Sequence, residues 1–423
     1  MDRAVPPRVA PPSVEARVRR YFLFQVLWSF ELWHPFWTLW LFTFATWFQG
    51  TLVDVVFWTV SLLMALPAGA IADRYGRRPA LIVGIILWNA GIFAFGLAQS
   101  LPFFALANAI WAFGAAFMFS AGSAYLYDTL AEAGAESRYP KEVSRAALLG
   151  FLATAAGSAV GGLVVMTTGS FQSVLLLNVG TGAFAIATAF TFREPAVHRM
   201  PAQNVLAQIR TGLRVTRDNR QIVLLILFQV LIGIVTYVMA FFRAPYIEAI
   251  VQRDYVFLGL AFAGFFAVAG IAGLSFRRVL ERLGETGSLV FAFLLVFPPF
   301  LVVYAVSVGL FASGVAILLG VLTQICFYVI WGLESPVVTT IINRRVASSD
   351  RATVLSVSIF FTTLSIAILE PAVGFLATTY DLALGLTLLA AVASVPTAYA
   401  ILAFRAAGTK AAGRTAAAPT GER

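Results

Sequence analysis

A chain of 423 residues that is 60% hydrophobic and only 12% charged cannot keep its apolar surface dry as a water-soluble domain, where charged residues average about 25%. The mean hydropathy of +0.87 places it in a membrane. The formal net charge of +9 then calls for a reading other than nucleic-acid binding, and its distribution along the chain supplies one.

Residues 1–20 are basic and Pro-rich, and the apolar run that follows is too long for a signal peptide, so they read as a cytoplasmic segment ahead of a first span. Apolar runs of about 20 residues cross a bilayer. Twelve such helices are expected, over 21–46, 50–72, 79–99, 103–127, 146–168, 171–192, 222–242, 257–276, 287–307, 311–334, 353–378 and 382–404. The fold class is an all-α membrane protein of two six-helix bundles, 21–192 and 222–404, joined by an arginine-rich cytoplasmic linker over 193–221. An Ala-, Gly- and Thr-rich tail, 405–423, reads as a disordered cytoplasmic end. Of the 29 Lys and Arg residues, all but Arg243 and Arg253 fall on the face that carries both termini, which makes that face cytoplasmic and the protein a multi-pass plasma (inner) membrane protein. No arginine falls inside an expected span, and Cys326 is alone in helix 10.

The halves look like copies. Asp73-Arg74-Tyr75-Gly76 recurs as Glu281-Arg282-Leu283-Gly284, and Glu334 stands before Arg351 as Asp128 stands before Arg145. Parallel repeats of this kind build transporters in which one bundle rocks against the other around a central site. Asp128, Arg145, Glu334 and Arg351 suit a clamp at the cytoplasmic ends of helices 4, 5, 10 and 11.

The turn Gly69–Arg78, GAIADRYGRR, lies between helices 2 and 3. Gly69 suits a close helix approach, Gly76 a tight turn, Asp73 a carboxylate facing helix N-terminal amides, and Arg74, Arg77 and Arg78 an anionic membrane surface. The pattern G-x-x-x-D-R-x-G-R-[RK] resembles the corresponding loop of the major facilitator superfamily of secondary transporters. That resemblance implies rocker-switch alternating access by a monomer, a small-molecule substrate, and neither metal nor cofactor. In helix 5, Gly157-Ser158-Ala159-Val160-Gly161-Gly162 resembles the drug-antiporter signature G-P-x-x-G-G, with Ser158 at the proline position. In helix 4, Ile110 stands where those antiporters carry an arginine ahead of Gly114, whereas Ser120 to Asp128 resembles a bacterial efflux-like branch.

Glu31 lies roughly 16 Å past Arg20 at about 1.5 Å per residue, near the bilayer midplane. His34 and Thr38 follow on the same helical face, and its repeat counterpart is the uncharged Tyr237. An ionisable residue at that depth usually faces a cavity, so Glu31 reads as a protonation switch or a substrate contact, with His34 as its partner. Glu370, ahead of Pro371, lines an outward vestibule or caps a broken helix, and Asp54 reads as solvated at the outer boundary. Phe24 and Trp28 of helix 1, Gln229 and Tyr237 of helix 7, and Gln324, Tyr328 and Trp331 of helix 10 would line a greasy, aromatic, sparsely polar pocket. Two histidines, one cysteine and no phosphate-binding loop argue against an enzyme or an ATP-driven pump. Proton-coupled export of hydrophobic or amphiphilic molecules is the first reading. An uptake carrier or uniporter for a small metabolite is the second, and a membrane enzyme or receptor the third.

Overall fold

The computed structural model describes residues 13–196, 214, 216–347 and 350–416. Among the described residues, eleven helices are long and apolar enough to cross a membrane. The first crossing is different: it consists of α1 (Val14–Ser29) and the short α2 (Trp37–Phe42), with non-helical chain between them. The continuous helix expected over 21–46 is therefore broken at residues 30–36. Pro35 supplies the cause, because it has no amide to donate and disfavours the helical conformation for His34 before it.

The chain continues through α3 (Trp47–Tyr75), α4 (Arg77–Leu97), α5 (Leu101–Ala131), α6 (Tyr139–Thr168) and α7 (Phe171–Phe190). After the second described stretch begins come α8 (Arg220–Ile250), α9 (Tyr255–Leu274), α10 (Phe276–Ser307), α11 (Ser313–Asn343), α12 (Arg351–Thr379) and α13 (Leu382–Ala416). Several helices outrun their apolar cores. The helix α8 continues past residue 242, α11 continues past Glu334, and α13 passes Phe404 into the Ala-rich stretch expected to be disordered, where alanine favours helix. Most of the expected linker and the extreme termini lie outside the described residues.

Helices α1–α7 pack mainly among themselves, as do α8–α13. Three pairings make most of the contact between the groups: α6 with α9, α3 with α12, and α2 with α8. The contacts of α3 with α12 gather at the ends away from the basic loops, where the Phe48 amide donates to Thr378 Oγ1 at 2.9 Å and Gly374 faces Thr51.

Candidate functional site

A broken helix in a membrane frees backbone groups that lipid cannot satisfy. Here neighbouring side chains take them up. Asn178 Oδ1 accepts from the Leu32 amide at 3.2 Å, Thr154 Oγ1 donates to the Ser29 carbonyl at 2.9 Å, and Thr181 Oγ1 reaches the Phe30 carbonyl at 3.5 Å. The glycines of α6 make room for this. A Cβ at Gly157 would stand 2.6 Å from the Glu31 nitrogen, and one at Gly161 would strike the Leu32 carbonyl. The opposite edge of the same segment meets the other helix group, where Gly259 of α9 lies against the Ser158 carbonyl and Gly162. The Gly157–Gly162 motif thus grips the break on one side and seats the second group on the other. Ser158 does not kink α6, which is continuous there.

Glu31 sits in the break, 8% exposed, and its Oε2 lies 3.0 Å from His34 Nδ1. The pair does not depend on the helical face expected for Glu31, His34 and Thr38, since Thr38 belongs to α2. The imidazole meets the Phe266 ring of α9 edge-on at 4.7 Å and the Phe262 ring at 6.5 Å. The break therefore carries an acid and an imidazole to the contact between the helix groups.

Beyond Phe266 lies an aromatic wall, with Tyr328 at 5.2 Å and Trp331 at 5.9 Å, both on α11. Behind it is Arg243, which sequence reasoning placed outside any span. It is in fact 2% exposed inside α8. Its guanidinium stands over the Tyr328 ring at 4.2 Å and the Trp331 ring at 5.7 Å, and Nε donates to Gln324 Oε1 at 3.0 Å. A centrally placed arginine in a span costs about 2.5–3.5 kcal/mol or more, offset in part by cation–π contacts of about 2 kcal/mol when desolvated. Three expected pocket residues, Gln324, Tyr328 and Trp331, do come together, around a cation that was missed.

Other expectations fare differently. Phe24 is enclosed near Phe192 at 5.3 Å, and Trp28 stacks on Phe24 and meets Trp88, which seats both among α1–α7. Gln229 Oε1 accepts from Ser358 Oγ at 2.5 Å and also meets Glu334, and the Tyr237 ring meets Trp58 at 5.3 Å across the groups. Glu334 lies deeper than the clamp role required, because α11 runs on to Asn343. Asp54 is buried rather than solvated: Trp58 Nε1 donates to it at 2.7 Å, and its carboxyl meets that of Glu370 across the α3–α12 contact.

On the basic side, Arg77 pairs with Asp73 at 2.6 Å and with Asp128 at 3.1 Å. Asp73 was expected to face helix amides, but Glu194 does so, accepting from the Arg77 and Arg78 amides at 2.7 Å each. Gly76, with φ +115°, is required there, since a Cβ would stand 2.6 Å from Glu194 Oε1. Gly69 allows no close approach, having open space where its Cβ would lie. Arg78 donates to the Phe190 carbonyl, Arg74 lies over Tyr75, Arg145 pairs with Glu142, and Arg351 donates to the Val346 carbonyl. Outside the spans, its own backbone amide and Arg138 hold the Glu15 carboxyl below the usual carboxylate range. Among the described residues, none of the ion pairs on this side joins the two helix groups.

Residues 43–369 match the sequence profile described as Major Facilitator Superfamily. An uncharacterized MFS-type transporter, YfiU, of Bacillus subtilis strain 168 is 26% identical over 161 residues, which is 36% of this chain and 29% of that protein. The drug efflux pump JefA of Mycobacterium tuberculosis strain H37Rv is 31% identical over 136 residues, 32% of this chain and 26% of the pump. The matched stretch thus spans less than a third of these curated relatives. Among solved structures, the nucleoside transporter NupG has a TM-score of 0.74 at 13% identity, covering 93% of this chain and 99% of that one. A D-xylose-proton symporter has a TM-score of 0.70 at 13% identity, covering 91% and 97%. At these identities the two structures show a shared fold.

Proposed function

The chain belongs to the Major Facilitator Superfamily of secondary transporters, and on that premise we propose that it exports hydrophobic or amphiphilic small molecules in exchange for protons. The observation that carries this reading is the break in the first crossing, which sets Glu31 and His34 against Phe262 and Phe266 of the other helix group. A charge that appears or vanishes there acts on the contact whose rearrangement alternates access. Ligands shift such an equilibrium only through differential affinity for its two states, and a proton on Glu31 has it, because it changes the interaction with His34.

Glu370 faces Asp54 across the α3–α12 contact, a second locus where ionising both carboxyls would set two like charges against each other between the groups. With the α3–α12 contacts gathered at the far ends and no described ion pair bridging the basic side, the conformation fits a state open toward the basic loops. Those loops, with the clamp residues Asp73, Arg77 and Asp128, are assigned to the cytoplasm, with both termini inside and the protein in the plasma membrane. Labels at 73–78 and at 251–254 are expected to react from opposite sides of the membrane, and reaction from one side would contradict the topology.

Export is favoured over uptake by the stretch similar to a drug efflux pump, whereas the fold shared with a nucleoside transporter and a D-xylose-proton symporter leaves an uptake carrier as the second reading. Inside-out vesicles with an acidic lumen are expected to accumulate a fluorescent amphiphile, and a protonophore to stop accumulation. Loss of preloaded solute under the same gradient would instead identify uptake by symport. Flux indifferent to the gradient would contradict proton coupling.

A further inference from the structure

Arg243 is a buried guanidinium with no acid beside it: among the described residues none of the ion pairs includes it, and its contacts are an amide oxygen and two aromatic rings. A lone arginine near a helix end normally extends to the nearest surface. This one stays at its own depth. Gly320 of α11 packs against Ile250, near the end of α8, and two turns inward from that level on both helices the guanidinium lies over Tyr328.

Two further donors converge on the same place. Guanidinium nitrogens only donate, so the oxygen of the Gln324 amide must be the atom that faces Arg243, and the amide nitrogen is left over. That Gln324 Nε2 is buried without an acceptor, and so is the Tyr328 hydroxyl; both residues are 0% exposed. The Arg243 guanidinium and the Gln324 Nε2 amide only donate, the Tyr328 hydroxyl can donate as well as accept, and no carboxylate among the described residues pairs with Arg243. Buried polar groups are nearly always satisfied, and a positively charged cluster with donors to spare is satisfied by an anion.

We propose that Arg243, Gln324 and Tyr328 bind the carboxylate, or an equivalent small acidic group, of the transported molecule, while its apolar body rests on Phe266 and Trp331. The assignment rests on the transporter reading and narrows its substrate class to amphiphilic organic acids, preferentially aromatic ones. Trp331 keeps a face exposed while Arg243 and Tyr328 are closed off, so a substrate anion reaches the site only as α8 and α11 rearrange. Glu31 and His34, on the near side of Phe266, are then placed to answer the arriving charge with a change in protonation.

The test is equilibrium binding by calorimetry on the purified full-length protein, with 2-naphthoate, its uncharged carboxamide and acetate as probes. Wild type is expected to bind 2-naphthoate about tenfold or more tighter than either of the others, since a site built from buried donors discriminates strongly against a ligand that leaves them unpaired. Arg243→Gln is expected to erase the preference for the acid, weakening 2-naphthoate far more than the carboxamide. Tyr328→Phe, which removes only an unpartnered hydroxyl and keeps the ring packing, is expected to weaken 2-naphthoate alone by about threefold to tenfold. Equal affinity of wild type for acid and amide, no binding of the acid, or a preference that survives Arg243→Gln overturns the proposal. Acetate bound as tightly as 2-naphthoate also overturns it, making the cluster a site for a small free anion. Binding at equilibrium needs neither a pH gradient nor a direction of flux, so failure of the exchange reading and failure of the anion site are separately visible.

Discussion

Glu31→Gln is expected to abolish the response of transport to a pH gradient while substrate still binds. Glutamine keeps the length and hydrogen-bonding capacity of the side chain, so the break at residues 30–36, whose backbone groups are held by Asn178, Thr154 and Thr181, stays intact. What disappears is the charge that meets His34 Nδ1 at 3.0 Å beside Phe266. Gradient-driven flux should fall about tenfold or more, to the rate seen without a gradient, and binding at fixed pH should change by less than about threefold, because removal of differential affinity between two states need not alter affinity for one. Flux assays in vesicles and calorimetry check the two halves of this expectation. A normal gradient response in Glu31→Gln, lost instead in Glu370→Gln, would move the coupling to the Asp54–Glu370 contact.

The second large effect is expected at Gly157. Its Cβ position lies 2.6 Å from the Glu31 nitrogen and 2.9 Å from the Glu31 carbonyl oxygen, so even alanine must displace the backbone of the break. Forcing atoms into a packed interior costs about 1–3 kcal/mol or more, and the displaced segment here carries the Glu31–His34 pair. Gly157→Ala should therefore lower the melting temperature by about 1–3 °C and cut transport about tenfold. Gly264→Ala provides the contrast. Nothing lies within 4 Å of its Cβ position, and alanine is the better helix former, so that variant should melt and transport as wild type does. Equal behaviour of the two variants would mean that α6 does not hold the break in place.

Much of the architecture is legible in the chain because bilayer thickness and charge placement act on each segment separately. The expected spans recur as continuous helices except for the first. There the apolar composition of Phe30–Phe36 hides a break whose only local sign is Pro35. Its stabilising partners, Asn178 and Thr154, come from α7 and α6 and have no signature near residue 31. The glycines of α6 were visible as a motif, but their mechanical role became visible only once the break stood opposite them.

Arg243 is hidden for a related reason. A first charge after an apolar run marks the end of a span by composition, yet Ala244-Pro245-Tyr246-Ile247 continues in apolar character on the far side of it. The same rule put Asp54 at the surface, whereas α3 carries it against Trp58 and Glu370. Glu194 caps α4 from the far end of α7, a contact that spacing along the chain does not encode. Charge near a helix end marks a boundary only when no partner awaits it inside, and that depends on tertiary structure.

The central claim is that protonation at Glu31 shifts the two helix groups relative to one another. The distance between spin labels on Ala133→Cys and Glu281→Cys, exposed positions on the basic side of the two groups, reads that shift directly in a background with Cys326→Ser. On going from alkaline to acidic buffer, the wild-type distance distribution should move from one population toward another, and Glu31→Gln should hold a single distribution throughout. A Glu31→Gln protein that still moves with pH as wild type does, or a wild type that does not move, would contradict the account.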